Sequence, residues 1–432
     1  MRRVVALTVA ALVGGCASFG RGVTEALLER SREPAADTRL CDVEGRPFTG
    51  IEPYLRRQDS LPPFAETVGI RPEVKVIYVH GIGTHRPGHS VGLQSNLAKS
   101  LALDMRAPRA KRIVPTAPHL PGQTLGEINV TRLTDTDRQR DLLFYEVTWS
   151  PITQPDKDLI AFDKEQYYEL RRAQLNRLIR AFVNDIAADP LAYNADRREP
   201  ILTAVGQSLC WALSKSWSEL PELTEGVVCQ PETPGFGSRA AIDDLVLVTH
   251  SLGSRVTIDA LARLAGLDEL RADPRASALT ATLRQKDVQV FMLSNQLPLL
   301  KAGQRPRGVV GRIGEFCGSG AERSGERFFN ETQLIAFSDP NDLMSYPVPD
   351  RFAENHVDSR LWPAVTNVTI NIAAVSSVLG LGDAANPLAA HTGYGVDERV
   401  AALLAGGAGH PGVAPIVAER CAWRETDESL MR

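Results

Sequence analysis

The chain has 432 residues, 43% of them hydrophobic and 23% charged, with a formal net charge of -4. That length leaves room for a sizeable core in one large or two ordinary domains. The mildly acidic balance, with no basic run, argues against a nucleic-acid partner, and no stretch of about 18 apolar residues predicts a membrane-spanning helix.

The first sixteen residues read as an address. Met1-Arg2-Arg3 is a positive n-region, and residues 4–13 form a short apolar h-region. They lead into Val13-Gly14-Gly15-Cys16. This order of features resembles the lipobox of bacterial lipoproteins, where residues up to the cysteine (here 1–15) are removed and the cysteine is acylated. The resemblance implies lipidation of Cys16, and export with anchorage to a bacterial membrane. Ala17 stands where the family places the aspartate of inner-membrane retention, which points to the outer membrane. Two or more acyl chains anchor a protein stably, whereas one does not. Cys41, Cys210, Cys229, Cys317 and Cys421 remain. An oxidising compartment permits disulfides, but five is an odd number and the connectivity stays open. Cys210 and Cys229 are nearest in sequence. No Cys-x-x-Cys occurs, so neither a thioredoxin-like site nor a zinc ribbon is expected.

Residues 16–71 are polar and proline-dotted and read as a tether and irregular lead-in. Residues 72–153 open a core. A buried strand at 74–79 runs into His80-Gly81-Ile82-Gly83-Thr84, a helix is expected over 95–105, and a further strand lies at 142–149. Residues 154–238 read as a mostly helical insertion. Leu175, Leu178, Ile179, Phe182, Val183 and Ile186 form one stripe, and Ile201, Leu202, Val205, Leu209, Leu213 and Trp217 another. Such an insertion is either a lid or passive packing. Residues 239–408 resume the core. The apolar run 245–248 meets Thr249-His250-Ser251-Leu252-Gly253, then a helical pattern over 255–264. Strands follow at 288–293, 332–337 and 365–372, with a long surface loop over 301–327, a loop carrying His391, and a last helix at 396–404. Residues 409–432 read as a C-terminal tail.

Strands alternating with helices predict an α/β fold, with a mostly parallel sheet covered by helices on both faces. Such sheets bind ligands beyond the carboxyl ends of their strands. His80, Ser251, Asp339, Asp342 and His391 all follow strands there. A strand, a tight turn centred on serine and a helix make the setting of a nucleophile elbow. A serine needs a base to take its proton, and a carboxylate fixes that base's tautomer. With this order of Ser251, then Asp339 or Asp342, then His391, residues 74–407 resemble a lipase- or esterase-type α/β-hydrolase interrupted by the insertion. Thr249 replaces the usual glycine of the elbow.

The resemblance implies a serine hydrolase acting on a carboxylic ester, a lipid or acyl ester given the anchored address, with no cofactor. Ser251 is the nucleophile, His391 the base, and Asp342 the preferred acid. Asp339, hard against Pro340, reads instead as a turn former. The backbone N–H groups of Ile82 and Leu252 form the oxyanion hole. Gly81 and Gly83 let the main chain turn back, and His80 braces it. His250 is expected to pack rather than act as base. His80, His85 and His89 show no recognised zinc spacing, so no metal is expected. The alternatives are a thioesterase, amidase or acyltransferase with the same machinery, or a non-catalytic lipoprotein using the fold as a binding surface. The expected partners are the substrate and, through the lipidated N-terminus, a membrane. Oligomeric state is not legible.

Overall fold

A computed structural model describes residues 39–56, 71–105, 110–118, 120–135, 140–161, 173–267, 272–302, 304, 309–317, 320–377 and 383–424. Cys16 and the signal-like segment lie outside the described residues.

Eleven strands follow one path through the main sheet. They are β1 (Cys41–Gly45), β2 (Glu73–Val79), β3 (Lys111–Ala117), β4 (Leu120–Thr124), β5 (Glu127–Asp135), β6 (Asp141–Thr148), β7 (Asp244–His250), β8 (Asp287–Leu293), β9 (Glu331–Ser338), β10 (Pro363–Ile370) and β11 (Cys421–Arg424). Their order is β11-β1-β10-β9-β8-β7-β2-β6-β5-β3-β4. The centre, from β10 to β6, is wholly parallel. Both flanks turn antiparallel, where β1 meets β10 and β5 meets β6. Two short strands, Leu103–Asp104 and Leu223–Val227, pair with β5 and β3.

The central strands are mostly apolar, as the run 245–248 of β7 shows, because both faces are covered. Alternate side chains of β2 enter different layers. Val74, Val76 and Tyr78 pack with Leu93 and Leu97 of α1 (Val91–Ser100) and with Val400, Leu403 and Leu404 of the last long helix. Ile77 and Val79 face the other way, against Ile201, Val205 and Leu209 and against Val256 and Leu261. Each fully buried Val, Leu or Ile of these layers contributes about 1.5–3 kcal/mol relative to exposure. The protein is thus an α/β protein with a large, mostly parallel mixed sheet flanked by helices.

Within the insertion, α2 (Gln154–Ala161), α3 (Gln174–Ile186), α4 (Ala188–Tyr193) and α5 (Arg198–Ser214) are helical. The stripe of α5 is buried in the core, whereas Phe182 and Val183 on α3 stay exposed. After β7 come α6 (Leu252–Ala265) and α7 (Pro274–Leu283), then α8 (Pro387–Thr392) and α9 (Glu398–Gly406), the last long helix named above. Among the described residues no helix is long and apolar enough to cross a membrane.

Four features differ from the sequence reading. The lead-in contains a sheet strand, β1, and the C-terminal tail supplies its parallel neighbour β11. A disulfide between Cys41 and Cys421 fastens the two. Both are too short for a period-2 pattern to stand out in sequence. A second disulfide joins Cys210 on α5 to Cys229, and Cys317 is in neither. The stretch between α1 and β6 holds three further strands, β3 to β5, whose half-polar sequences, as in Asn129, Thr131 and Arg132, dilute the apolar signal. The first core helix begins at Val91 rather than 95. His391 sits on a short helix, α8, not in a loop. Asn386 caps that helix by accepting from the N–H groups of Leu388 and Ala389 at 3.0 and 3.2 Å.

Candidate active site

The chain reverses sharply between β7 and α6. Ser251 stands at the turn with φ 56° and ψ -126°, a conformation costly for a residue with a side chain and held only when its surroundings enforce it. Those surroundings are tight. The Ser251 N–H donates to the Leu293 carbonyl at 2.9 Å. A Cβ on Gly253 would lie 2.3 Å from the Val79 carbonyl oxygen, and one on Gly81 only 2.4 Å from the Cβ of Ser251. The elbow therefore admits no side chain at either glycine. Thr249 fits without glycine, fully buried with its hydroxyl 3.4 Å from the Phe291 carbonyl. Leu252 opens α6, so its N–H belongs to the first turn, where helical N–H groups find no intrahelical acceptor.

Three further elements bring side chains to the same carboxyl end of the sheet. Asp342 follows β9, Ser294 follows β8 and His391 lies on α8. The Nδ1 of His391 is 2.9 Å from Oδ2 and 3.0 Å from Oδ1 of Asp342. A carboxylate can only accept, so Nδ1 carries the proton and the neutral ring presents Nε2 as a base. That Nε2 and the Oγ of Ser251 are both buried, and neither has a hydrogen-bond partner among the described residues. Ser251 is fully buried and His391 is 5% exposed. Each such unpaired buried polar atom calls for an explanation, and a catalytic role is one of them. The two do not bond each other.

Asp342 is held from three sides. Besides His391, the Ser294 hydroxyl donates to Oδ2 at 2.7 Å and the Met344 N–H to Oδ1 at 3.0 Å. Burial opposes its charge, but the hydrogen bond and electrostatic attraction of His391, helped by Ser294 and Met344, outweigh it and keep the carboxyl below its ordinary pKa. Asp339 is used differently. Its Oδ1 accepts from the N–H and side-chain amide of Asn341 at 2.7 and 3.0 Å, and its Oδ2 accepts from the N–H groups of Ile372 and Ala373 at 2.7 and 2.9 Å. It ties the turn after β9 to the end of β10 and does not reach His391.

The histidines divide by their hydrogen bonds. His80 donates from Nδ1 to the Gly81 carbonyl at 2.8 Å, while its Nε2 accepts from the N–H groups of Trp149 and Ser150 at 3.0 and 3.3 Å. The Trp149 indole stacks on it at 4.5 Å and donates to its carbonyl. Burial, then His85 and His89, push its pKa far down, so it is a neutral brace for the 81–83 loop. His85 Nε2 bonds the Ile82 carbonyl and His89 Nδ1 the Arg86 carbonyl, each at 3.0 Å. Among the described residues, no group of three His, Cys, Asp or Glu side chains is arranged to hold a metal. His250 donates from Nε2 to the His391 carbonyl at 2.8 Å. Burial, then the neighbouring His391, lowers its pKa to about 3. It thereby holds the backbone of α8 against the elbow.

The 81–83 loop is also gripped by the insertion. Gly83, at φ 98°, donates its N–H to Asp189 Oδ2 at 2.6 Å. Asp189 is fully buried, accepts from Thr153 and pairs with Lys157. The hydroxyl of Thr84 donates to Asp185 at 2.8 Å. Ile82, between the two glycines, packs against the core cluster that contains Leu252.

Sequence reasoning missed Ser294, Asn295, Lys157, Asp185 and Asp189. Asn295 donates from its side-chain amide to the Tyr346 carbonyl at 2.7 Å and receives the Tyr346 N–H on its own carbonyl, fixing the loop that carries Asp342. The available signal was a polar Ser-Asn pair straight after a buried strand. The acids of the insertion carried none, since their partners, Gly83 and Thr84, lie 106 and 101 residues away in sequence.

Fold and site together define an α/β protein with a buried serine, histidine and aspartate gathered at the carboxyl end of a mostly parallel sheet. Compared with protein-family models, curated proteins and solved structures, the chain has no match in any of the three.

Proposed function

We propose that the protein is a serine hydrolase of the α/β-hydrolase type that cleaves a carboxylic ester through a covalent acyl-enzyme. The observation that carries this reading is a Ser251 Oγ and a His391 Nε2, each buried and without a hydrogen-bond partner among the described residues, with the Nδ1 proton of that ring on Asp342. Ser251 Oγ attacks the ester carbonyl while His391 Nε2 takes its proton. Asp342 stabilises the imidazolium. The N–H groups of Ile82 and Leu252 receive the oxyanion, a contribution of about 2.7–4 kcal/mol per donor in enzymes of this kind. Imidazolium then protonates the departing alcohol, and water, activated by His391, releases the acid.

Apolar side chains exposed on the insertion support an apolar acyl group. Leu159, Ile160, Phe182, Val183 and Leu191 stand exposed on the insertion, whose Asp185 and Asp189 hold the 81–83 loop. The lipobox-like start adds a membrane address through Cys16, at the outer membrane. Labelling with a fluorophosphonate probe, followed by turnover of acyl esters of graded length, tests the enzyme. The wild type should label and turn over, and folded Ser251→Ala should do neither; wild-type turnover by that variant would end the assignment. Metabolic labelling with a fatty-acid analogue tests the anchor, and equal labelling of Cys16→Ser would remove it.

A further inference from the structure

The hydroxyl of Ser294 touches both partners of the Asp342–His391 pair. It donates to Asp342 Oδ2 at 2.7 Å, and the same oxygen lies 2.9 Å from His391 Nδ1. Ser294 is fully buried, so no solvent competes for these bonds. Its backbone is at φ 49°, a left-handed value glycine would adopt at less cost. A non-glycine residue in that conformation, with its hydroxyl inside the buried Asp342–His391 pair, calls for an explanation beyond turn geometry.

We infer that Ser294 is a positioning residue for the catalytic pair, a conclusion that rests on the hydrolase reading. Its proton points to the carboxylate, because Asp342 can only accept. Its lone pairs therefore face the Nδ1 proton of His391. With the hydrogen toward the anion and the oxygen toward the cation, the hydroxyl dipole favours the aspartate–imidazolium pair that forms as Ser251 loses its proton. The bond to Asp342 and the close approach to Nδ1 fix the carboxylate plane and the ring, leaving Nε2 in one orientation. Asn295, next in the chain, anchors the Asp342 loop through Tyr346, so adjacent residues hold the acid from two directions. Ser294 touches no substrate; it acts through Asp342 and His391.

The test separates the hydroxyl from the backbone. Ser294→Gly removes the hydroxyl and relieves the positive φ, while Ser294→Ala removes the hydroxyl alone. Both should lower kcat roughly 10- to 100-fold, the range one hydrogen bond to a charged group covers, with KM little changed. The Nδ1–H resonance of His391, followed by NMR on histidine-labelled protein, should move in the folded Ser294→Gly variant. Wild-type kcat with an unmoved resonance in Ser294→Gly would overturn the inference and leave Ser294 a turn residue. Should the wild type neither label at Ser251 nor turn over ester, the hydrolase reading fails separately. The resonance then decides alone whether Ser294 positions the imidazole.

Discussion

Asp189, in the helical insertion, accepts the N–H of Gly83, in the loop beside Ser251, at 2.6 Å. The same carboxylate pairs with Lys157 at 2.9 Å and accepts from Thr153 at 2.7 Å. A buried carboxylate satisfied by three donors is a rigid post. It joins the insertion to the peptide units that would receive an oxyanion, so the insertion is bonded to the site and not merely laid over it. Asp189→Asn keeps the shape but strips Lys157 of this partner and weakens the grip on Gly83. Its kcat on an acyl ester should fall about 10- to 100-fold, with KM less affected. An unchanged kcat in the folded variant would reduce Asp189 to packing.

Asp342 and Asp339 lie three residues apart and do different work. Asp342→Asn leaves an amide that no longer demands the Nδ1 proton, and the wrong tautomer costs about 10⁴ in kcat where the same change has been made in a serine protease. KM should stay close to wild type. Asp339→Asn removes the charge from bonds to Ile372 and Ala373, worth roughly 1.5–3 kcal/mol for a charged acceptor. It should lower the melting temperature by several degrees and spare most of the activity. Steady-state kinetics and thermal unfolding of both variants check this, and exchanged phenotypes would move the acid role to Asp339.

The centre of the sheet and its serine turn were legible because fully buried parallel strands are continuous apolar runs and the elbow demands small residues. Residues 245–248 and Gly253 carry both signals. Strands β1 and β11 were not legible. Each is short, β11 lies at the sheet's edge with β1 next to it, and a disulfide across 380 residues brings them together. His391 was placed in a loop because Pro387-Leu388-Ala389-Ala390 is too short for helical periodicity; only the Asn386-Pro387 start marks the helix. Ser294 stayed hidden because a serine after a strand is common, and its value comes from two partners 48 and 97 residues away.

Four histidines should make the fold sensitive to mild acid. Burial is the leading cause that lowers the pKa of His80, His85, His89 and His250, taking His85 to about 4 and His250 to about 3. In the unfolded chain a histidine titrates near 6.5. Below that pH the unfolded state binds more protons, so stability falls as pH falls, by about 1.4 kcal/mol per unit for each such histidine. For His85 the loss runs from about 6.5 to about 4. Asp342, with its lowered pKa, loses its contribution only at more acid pH. Urea midpoints at pH 7.5, 6 and 5 should therefore decline already between the first two, and His85→Gln should flatten the decline. A constant midpoint down to pH 5 would contradict the neutral, buried state of these rings.

Gly81 gives the sharpest steric test. A methyl group there would lie 2.4 Å from the Cβ of Ser251 and 2.7 Å from the His250 carbonyl oxygen. Neither atom is the free end of a flexible side chain, so the loop or the elbow must move. The loop is fixed by His80 on one side and by Asp189 on the other, which leaves the elbow to shift. Displacing a reacting group by about 1 Å costs on the order of 10²-fold, and Gly81→Ala should lower kcat/KM by about that much and also lower the melting temperature. Gly314→Ala is the control, because nothing lies within 4 Å of its added methyl. It should change stability by no more than about 0.5 kcal/mol and leave turnover alone. If Gly81→Ala matched this control in kinetics and melting, the close approach of the 81–83 loop to Ser251 would be wrong.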